Sequence, residues 1–536
     1  MRRGSAFLVA LLLLTLMVGM TPARAQEGDI LIYATQIGDL ITLDPGRAFE
    51  STNLTIHHAT YDTLLEIRAD DLSTVVPSLA EAFTVSDDGL VYTFTLREGV
   101  QFASGNPVTA EDVRFSWTRL QNIKGNPSFY ADPVAQVEVI DDRTVAVTLT
   151  EAFPAFPAVV TAPAMSILDS QVVIANGGTD AEDADTTDMA KDWLDQNSAG
   201  SGPFILTGWV PNAEVTLVRN DNYWREPPAF SGVTLRHVND ATTALQQLER
   251  GDVDITDLVD PDLSQQIADN PALKLAIGQT LNLTYLAMSP AEGPGTEGAA
   301  PWSAPLWDVR VRQAIAHAVD YDGIIEALFQ GYADRPAAML PIGVQGSDPS
   351  ARYERDLDAA RALLADAGYP DGFELTLSIG TGTIAGILPS ETLAAKIVAD
   401  LAEVGISVTV EQQPTANFLT AYRAQELQFL FATWTPDYVD ATMWSDYFAN
   451  PGVGPAFRIQ LNSEEIARLA AAGAFEADHD RRTALYRQYQ DAHVEEAVFV
   501  PLIQPQHPYA MRAEIEGFTF HPVYFIDFYS LSRTAQ

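Results

Sequence analysis

Cysteine is absent from the 536 residues. That excludes disulfides, thiolate zinc sites, iron–sulfur clusters, a Cys nucleophile and a lipid anchor on an N-terminal Cys. Lysine is nearly absent too: Lys124, Lys191, Lys274 and Lys396 are the whole set. Lys and Arg together number 31 against 72 Asp and Glu, for a net charge of −41. Nucleic acid and anionic lipid are excluded as partners, because phosphate is held by a basic face. Beyond residue 25 no apolar run approaches the ~20 residues that span a bilayer. What is present is ordinary globular composition, 47% hydrophobic and 19% charged, so a disordered chain is excluded as well. At roughly 100–200 residues per domain, the length predicts about three domains.

The first residues read as an address. Arg2 and Arg3 precede an almost unbroken apolar run from Ala6 to Met20, and Ala23-Arg24-Ala25 is a small-x-small cleavage site. This predicts a secretory signal peptide over 1–25 and a mature chain starting near Gln26. Its removal takes away three arginines and no acid, so the mature chain is more acidic still. With no Cys to lipidate, the exported protein is expected to diffuse freely, which suits a periplasm, and not to be inserted in a membrane.

Periodicity predicts α/β structure throughout. Ile30 to Ala34 reads as a buried strand, and Leu90, Tyr92, Phe94 and Leu96 alternate with more polar residues after the turn Asp87-Asp88-Gly89. Thr109 and Asp112 form a capping box for a helix carrying Val113, Phe115 and Trp117. Val137–Ile140 and Thr144–Leu149 read as strand and strand about a turn, and the acidic, Thr-rich Thr179–Asp188 as a solvated loop or insertion. Further strands are expected at Pro203–Leu206 and Val215–Val218. The second half is richer in helix: Val311–Val319, Ile324–Phe329, Asp358–Ala367, and a helix capped by Ser390 that runs to about Glu403. The last lies between strands Phe373–Ile379 and Ile406–Val410, a βαβ unit in a partly parallel sheet. Gly and Pro between 290 and 305 mark a loop between domains, and Val498–Ile503 a final apolar strand.

Catalytic constellations are wanting. There is no Gly-x-Ser-x-Gly elbow around Ser201, no His-Glu-x-x-His and no phosphate-cradling Gly-Lys-Ser/Thr. His57 and His58 are adjacent, so their rings point apart; a surface or turn pair is expected, not a metal site. With 72 acids, paired carboxylates arise by chance. Neither a metal nor a cofactor is expected, and nothing argues for an enzyme.

Four ordered stretches carry a resemblance. The first runs from Ala82-Phe83 through Ser86-Asp-Asp-Gly-Leu90, Tyr92-Thr-Phe-Thr-Leu-Arg97, Gly99-Val100, Phe102, Gly105 and Pro107 to Asp112-Val113. The second is Gly200-Ser-Gly-Pro-Phe204 through Trp209 to Arg219-Asn-Asp-Asn-Tyr-Trp224. The third is Asp308-Val-Arg310-Val-Arg-Gln-Ala314-Ile315 to Ala318-Val-Asp320, with Gly331 and Pro336 downstream. The fourth is Leu363-Leu364 with Ala367-Gly-Tyr-Pro370, then Trp434-Thr-Pro-Asp437-Tyr-Val-Asp440. In order and spacing the chain resembles the family 5 periplasmic solute-binding proteins of ABC importers, the oligopeptide, dipeptide and nickel class.

The resemblance implies a two-lobed periplasmic-binding-protein clamp, class II-like and of cluster C, with an additional third domain. Lobe I would comprise 26–68, 200–287 and 501–536, the extra domain 69–199, and lobe II 288–500. It implies a monomer that captures a small peptide or peptide-like solute between its lobes and delivers it to an inner-membrane ABC permease complex. Opine, amino-sugar, oligosaccharide or metal-chelate cargo remains an alternative on the same fold, and an exported hydrolase a more distant one. In peptide-binding members the Asp matching Asp437 pairs with the ligand's amine, and the Trp matching Trp434 lines the pocket. The candidate ligand residues are therefore Trp434, Asp437, Tyr438, Asp440 and Trp444, with Thr381 and Glu50; Arg310 and Arg312 are expected in salt bridges. The Arg that anchors a peptide carboxylate in relatives is missing here, since Phe431 and the loop Gly380–Thr383 occupy its places. Arg47 or Arg352 could substitute; otherwise the ligand's far end is expected to be neutral, amidated, long or held by backbone amides.

Overall fold

A computed structural model describes residues 29–534 apart from 260, 297, 299, 349, 351 and 385–387. The expected signal peptide, 1–25, lies outside the described residues. The main sheet runs from edge to edge as Ser407–Gln413, Glu374–Gly380, Phe429–Trp434, Leu283–Met288, Phe499–Arg512, Ile255–Thr256, Ile30–Thr35, Gly232–His237, Glu214–Arg219 and Phe204–Val210. Its centre is Phe499–Arg512, which serves both halves of the molecule. Residues 499–503 pair antiparallel with Leu283–Met288, and residues 506–512 pair antiparallel with Leu273–Gln279. The chain thus passes between the halves at 280–282 and again at 503–506, the layout of a two-part clamp.

In the second half the βαβ unit forms as the spacing predicts. Glu374–Gly380 and Ser407–Gln413 are parallel neighbours, connected through the helix Ser390–Ala402. Pro389 takes the cap position there and Ser390 is the first helical residue. The third motif is the helix Val309–Ala318; Arg310 pairs with Asp308 at 2.5 Å and Arg312 with Glu496 at 3.2 Å.

A separate antiparallel sheet orders Ala80–Val85, Val91–Leu96, Thr144–Leu149 and Val134–Asp141. Tyr92, Phe94 and Leu96 point into its core, as their alternation requires. The helix Ala110–Ile123 closes that core, with Trp117 edge-on to Phe94 and Phe156 at 6.2 Å each. Asp112 accepts the Thr109 backbone N–H at 2.9 Å, completing the capping box. The second motif begins against the end of the helix Ser51–Thr60 for a steric reason. Added Cβ atoms at Gly200 and Gly202 would lie 2.1 and 2.5 Å from the Thr60 backbone, so only glycine lets the chain pass so close.

Two expectations are corrected. Thr179–Asp188 is not simply solvated: Asp188 is buried and accepts Arg119 Nε at 2.8 Å, while Arg119 also grips Asp44 through two bonds of 2.8 Å. The carboxylates are there to neutralise a buried guanidinium that joins three remote segments. His57 and His58 are no surface pair. They lie on the helix Ser51–Thr60, His57 buried at 3.0 Å from the Leu43 carbonyl and His58 stacked 3.5 Å from Tyr524.

Candidate functional site

Strand Phe429–Trp434 is held in place by its pairing with Leu283–Met288, which brings Trp434 opposite Leu283 beside the first crossing. The chain then turns through 435–441 before the helix Thr442–Ala449. Strand ends of this kind are where α/β folds place ligands. Trp434 donates its indole N–H to the Met443 carbonyl at 2.8 Å. The ring packs 5.0 Å from Tyr447 and 5.6 Å from Phe448, leaving it half-buried and fixed in orientation.

Asp437 is the unusual group of the turn. Tyr130 donates its hydroxyl to the Asp437 backbone carbonyl at 3.1 Å, which joins the four-stranded unit to this loop. The Asp437 side chain is half-buried. Burial alone, with no countering charge, pushes its carboxyl up to about 6. Nearby Asp446 is pushed to about 7 by burial and by Asp440. Tyr447 sits within the field of Asp437, Asp446 and Asp132, and with burial these carry its hydroxyl up to about 12. The wall beside Trp434 is thus aromatic and acidic, suited to an ammonium or guanidinium.

The remaining candidates separate. Asp440 is already engaged: Arg482 grips it at 2.7 and 2.9 Å, and Oδ1 also accepts the Thr442 N–H at 2.9 Å. Tyr438 is buried beneath the turn with its hydroxyl 3.2 Å from that of Thr442. Trp444 does not line a cleft. Its ring is fully buried, because the turn of Thr442–Ala449 directs it into the core beside Tyr489, whose hydroxyl reaches its carbonyl at 3.5 Å. Thr381 is exposed and tied locally, its N–H donating to the Gln413 carbonyl at 2.8 Å. Glu50 precedes Ser51–Thr60 and accepts Asn53 Nδ2 at 2.8 Å. Its neighbour Phe49 meets Phe129 at 5.6 Å, and Phe129 stacks on Tyr130 at 4.3 Å. An aromatic chain therefore links the Glu50 segment to the Asp437 loop. Of the substitute cations, Arg47 is held by Asp44 and Asp188 at 3.3 and 3.4 Å, and Arg352 by Glu354 at 2.8 Å.

Tyr130, Asp446 and Tyr447 were not marked by the sequence; no spacing rule distinguishes them from core aromatics or solvated acids. Beside the site, a cavity of about 670 Å³ opens at the crossings, bounded by Thr280, Asn282, Gln506 and Thr435. Ser201, the nearest approach to a nucleophile motif, is fully buried and donates to Asp62 at 2.7 Å. Among the described residues, no group of three or more His, Asp or Glu could hold a metal ion, and no helix is long and apolar enough to cross a membrane.

Two halves joined by paired crossings, with a strand-end loop presenting aromatic and acidic groups beside them, define a solute-binding clamp. The model of the bacterial extracellular solute-binding proteins, family 5, matches residues 74–455, and the chain belongs to that family. A probable D,D-dipeptide-binding periplasmic protein of Escherichia coli strain K12 is 28% identical, over 98% of each chain. Heme-binding protein A of Haemophilus influenzae is 27% identical, over 96% of this chain and 94% of that one. Among solved structures, that of HbpA2 from Haemophilus parasuis is similar at a TM-score of 0.82 and 26% identity, covering 95% of this chain and all of the other.

Proposed function

We propose that this chain is the periplasmic substrate-binding component of an ABC importer, capturing a peptide or peptide-like solute by its free amine and delivering it to an inner-membrane permease. The observation that carries this reading is Asp437, a half-buried carboxylate beside Trp434 that has no cation partner. A ligand ammonium would supply the missing charge, and the Trp434 and Tyr447 rings would flank it. Trp434, Asp437 and Tyr447 are the contacts proposed, with Glu50 at the other end of the aromatic chain. The similarity to a dipeptide-binding relative favours peptide cargo. The protein works as a monomer, exported by a cleaved signal peptide and free of lipid, and binds without catalysis.

Calorimetry with di- and tripeptides and their N-acetylated counterparts tests the reading. The free-amine member of each pair should bind at least a hundredfold tighter. Equal affinities would remove Asp437 as the amine's partner. The comparably similar heme-binding relative makes a non-peptide cargo the second reading. Native mass spectrometry of the protein from periplasmic extract decides it: a co-purified peptide supports the first reading, and a chelate or sugar the second.

A further inference from the structure

The C-terminal hairpin holds one residue in a backbone conformation that its side chain disfavours. Phe525 has a φ of +66°, a region that bulky side chains avoid because Cβ crowds the backbone. The Ile526 N–H donates to the Tyr524 carbonyl at 2.8 Å. Phe525 is therefore the centre of a three-residue γ-turn with positive φ, a rare and strained form. Lys124 and Ala497 also have positive φ, but each caps the C-terminus of a helix, where the left-handed conformation ends the helical run. Phe525 ends no helix. It pairs with His521 across the short strands Phe520–His521 and Phe525–Ile526. Such strain persists only where the surroundings enforce it, and it concentrates at functional sites.

The flanks of the turn are fixed from several sides. The Val523 N–H donates to His521 Nδ1 at 3.2 Å. The Tyr524 ring is sandwiched between the His58 and His521 rings, stacked at 3.5 and 3.8 Å. Its carbonyl also accepts the Thr55 hydroxyl at 2.9 Å. Ile526 is fully buried in the core that holds Leu31 and Leu235. With both neighbours held, the turn sends the Phe525 side chain into the cavity at the crossings. Its exposure there distinguishes it from the other lining aromatics. Tyr33 and Tyr509 also line the cavity, but both are buried. Phe525 keeps a partly exposed face, with the His507 ring 6.3 Å away. Much of the remaining lining is amide and hydroxyl, such as Asn282 and Gln506. One phenyl face thus looks into a polar space that reaches Thr435, two residues before Asp437.

We infer that Phe525 is a specificity-determining residue of the cargo site, selecting a cargo that carries an aromatic side chain. A cargo ring meets the Phe525 face edge-on or offset, as aromatic pairs do, while the polar walls take the amides around it. A ring that served only the core would gain nothing from a strained turn that leaves part of it in contact with water. A ring held ready for cargo does. The inference rests on the chain being a solute-binding protein with peptide-like cargo, and it is independent of the role given to Asp437.

The test compares Phe-Ala-Ala, Ala-Phe-Ala and Ala-Ala-Phe with Ala-Ala-Ala by calorimetry, on the full protein and on Phe525→Asn and Phe525→Tyr. Asn tolerates positive φ and has no ring, whereas Tyr keeps the ring. At least one phenylalanine peptide should bind wild type about tenfold tighter than Ala-Ala-Ala, or better. That ratio should fall to near one in Phe525→Asn and be kept by Phe525→Tyr. The Tm of empty Phe525→Asn should be no lower than that of wild type, because the turn is relaxed; a marked fall would make the ring a packing residue and overturn the inference. 4-Fluorobenzyl alcohol alone is the second probe. Its fluorine resonance should broaden with wild type and with Phe525→Tyr but not with Phe525→Asn, whether or not a peptide binds. Ratios near one for all three peptides in wild type, a ratio that survives in Phe525→Asn, or equal broadening by wild type and Phe525→Asn would likewise overturn it. If no tripeptide binds, the peptide reading fails and the fluorine resonance alone decides this one. N-acetylated forms of the same peptides isolate the amine: equal affinity of free and acetylated forms, with the phenylalanine ratio intact, counts against Asp437 and not against Phe525.

Discussion

Replacing Asp437 by Asn tests the amine anchor in both the loaded and the empty protein. In the empty protein its carboxyl titrates at about 6 instead of 3.8. The folded state therefore holds that proton more tightly than the unfolded state does. Stability falls as pH rises between those values, and the loss persists above about pH 6. A shift of about two units corresponds to about 3 kcal/mol at most. Asp437→Asn removes this penalty, so at pH 7 the empty variant should melt at the same temperature as wild type or higher. Binding should behave in the opposite sense. Leaving a buried ligand ammonium without its carboxylate costs roughly 3–5 kcal/mol, a loss of about two to four orders of magnitude in affinity. Wild-type affinity for an amine-bearing peptide should be level above about pH 7 and fall as the carboxylate is protonated, to roughly a tenth at pH 5 of its pH 7 value. Asp446, whose carboxyl is pushed to about 7, titrates in the same window, so the variant serves as the control. Calorimetry from pH 5 to pH 8 should show the pH dependence in wild type and none in Asp437→Asn. If the variant binds the peptide as wild type does, or keeps the tenfold fall at pH 5, the assignment of the amine to Asp437 is refuted.

Two further outcomes are expected. Arg119→Met should leave the buried Asp44 and Asp188 carboxylates, now 2.8 Å from the guanidinium, with only the longer ion-pair contacts to Arg47 at 3.3 and 3.4 Å, and lower stability in urea unfolding by up to roughly 3–5 kcal/mol; an unchanged midpoint would mean the Arg119 pairs contribute nothing. A peptide touching both halves binds the closed state better and must shift the equilibrium toward it. Small-angle scattering should then show a smaller radius of gyration at saturating peptide, and an unaltered profile would count against the clamp.

Much of the fold was legible because its signals are local. Alternation placed Tyr92, Phe94 and Leu96 on one face, and the capping box at Thr109 and Asp112 set a helix start that the structure reproduces. The final strand was legible only in part. The apolar run that marks it ends at Ile503, yet the strand continues through Gln504-Pro-Gln-His-Pro508 to Arg512. Proline cannot donate to a ladder and is demoted on sight within strands. Pro505 and Pro508 are nevertheless accommodated opposite Ala333 and Ile277, where the strand changes partners from one half to the other. The feature that makes this strand a crossing is the one that disguised it.

The site shows a different limit. A strand-end rule pointed to the loop holding Asp437 and Asp440. What the rule does not say is which acid is free. Asp440 is neutralised by Arg482, 42 residues on, and Asp254 by Arg533, 279 residues on. In a chain with 31 cations for 72 acids, most carboxylates lack a cation and lose nothing by it, because water solvates them. The exceptions are acids that the fold partly buries and leaves unpaired, and burial is decided by contacts that no local pattern encodes. Asp437 is such an acid, on the loop beside the first crossing. The role proposed for it comes from the conjunction of scarce positive charge, set by composition, with burial, set by the tertiary fold. On that proposal, an amine-bearing cargo supplies the missing charge.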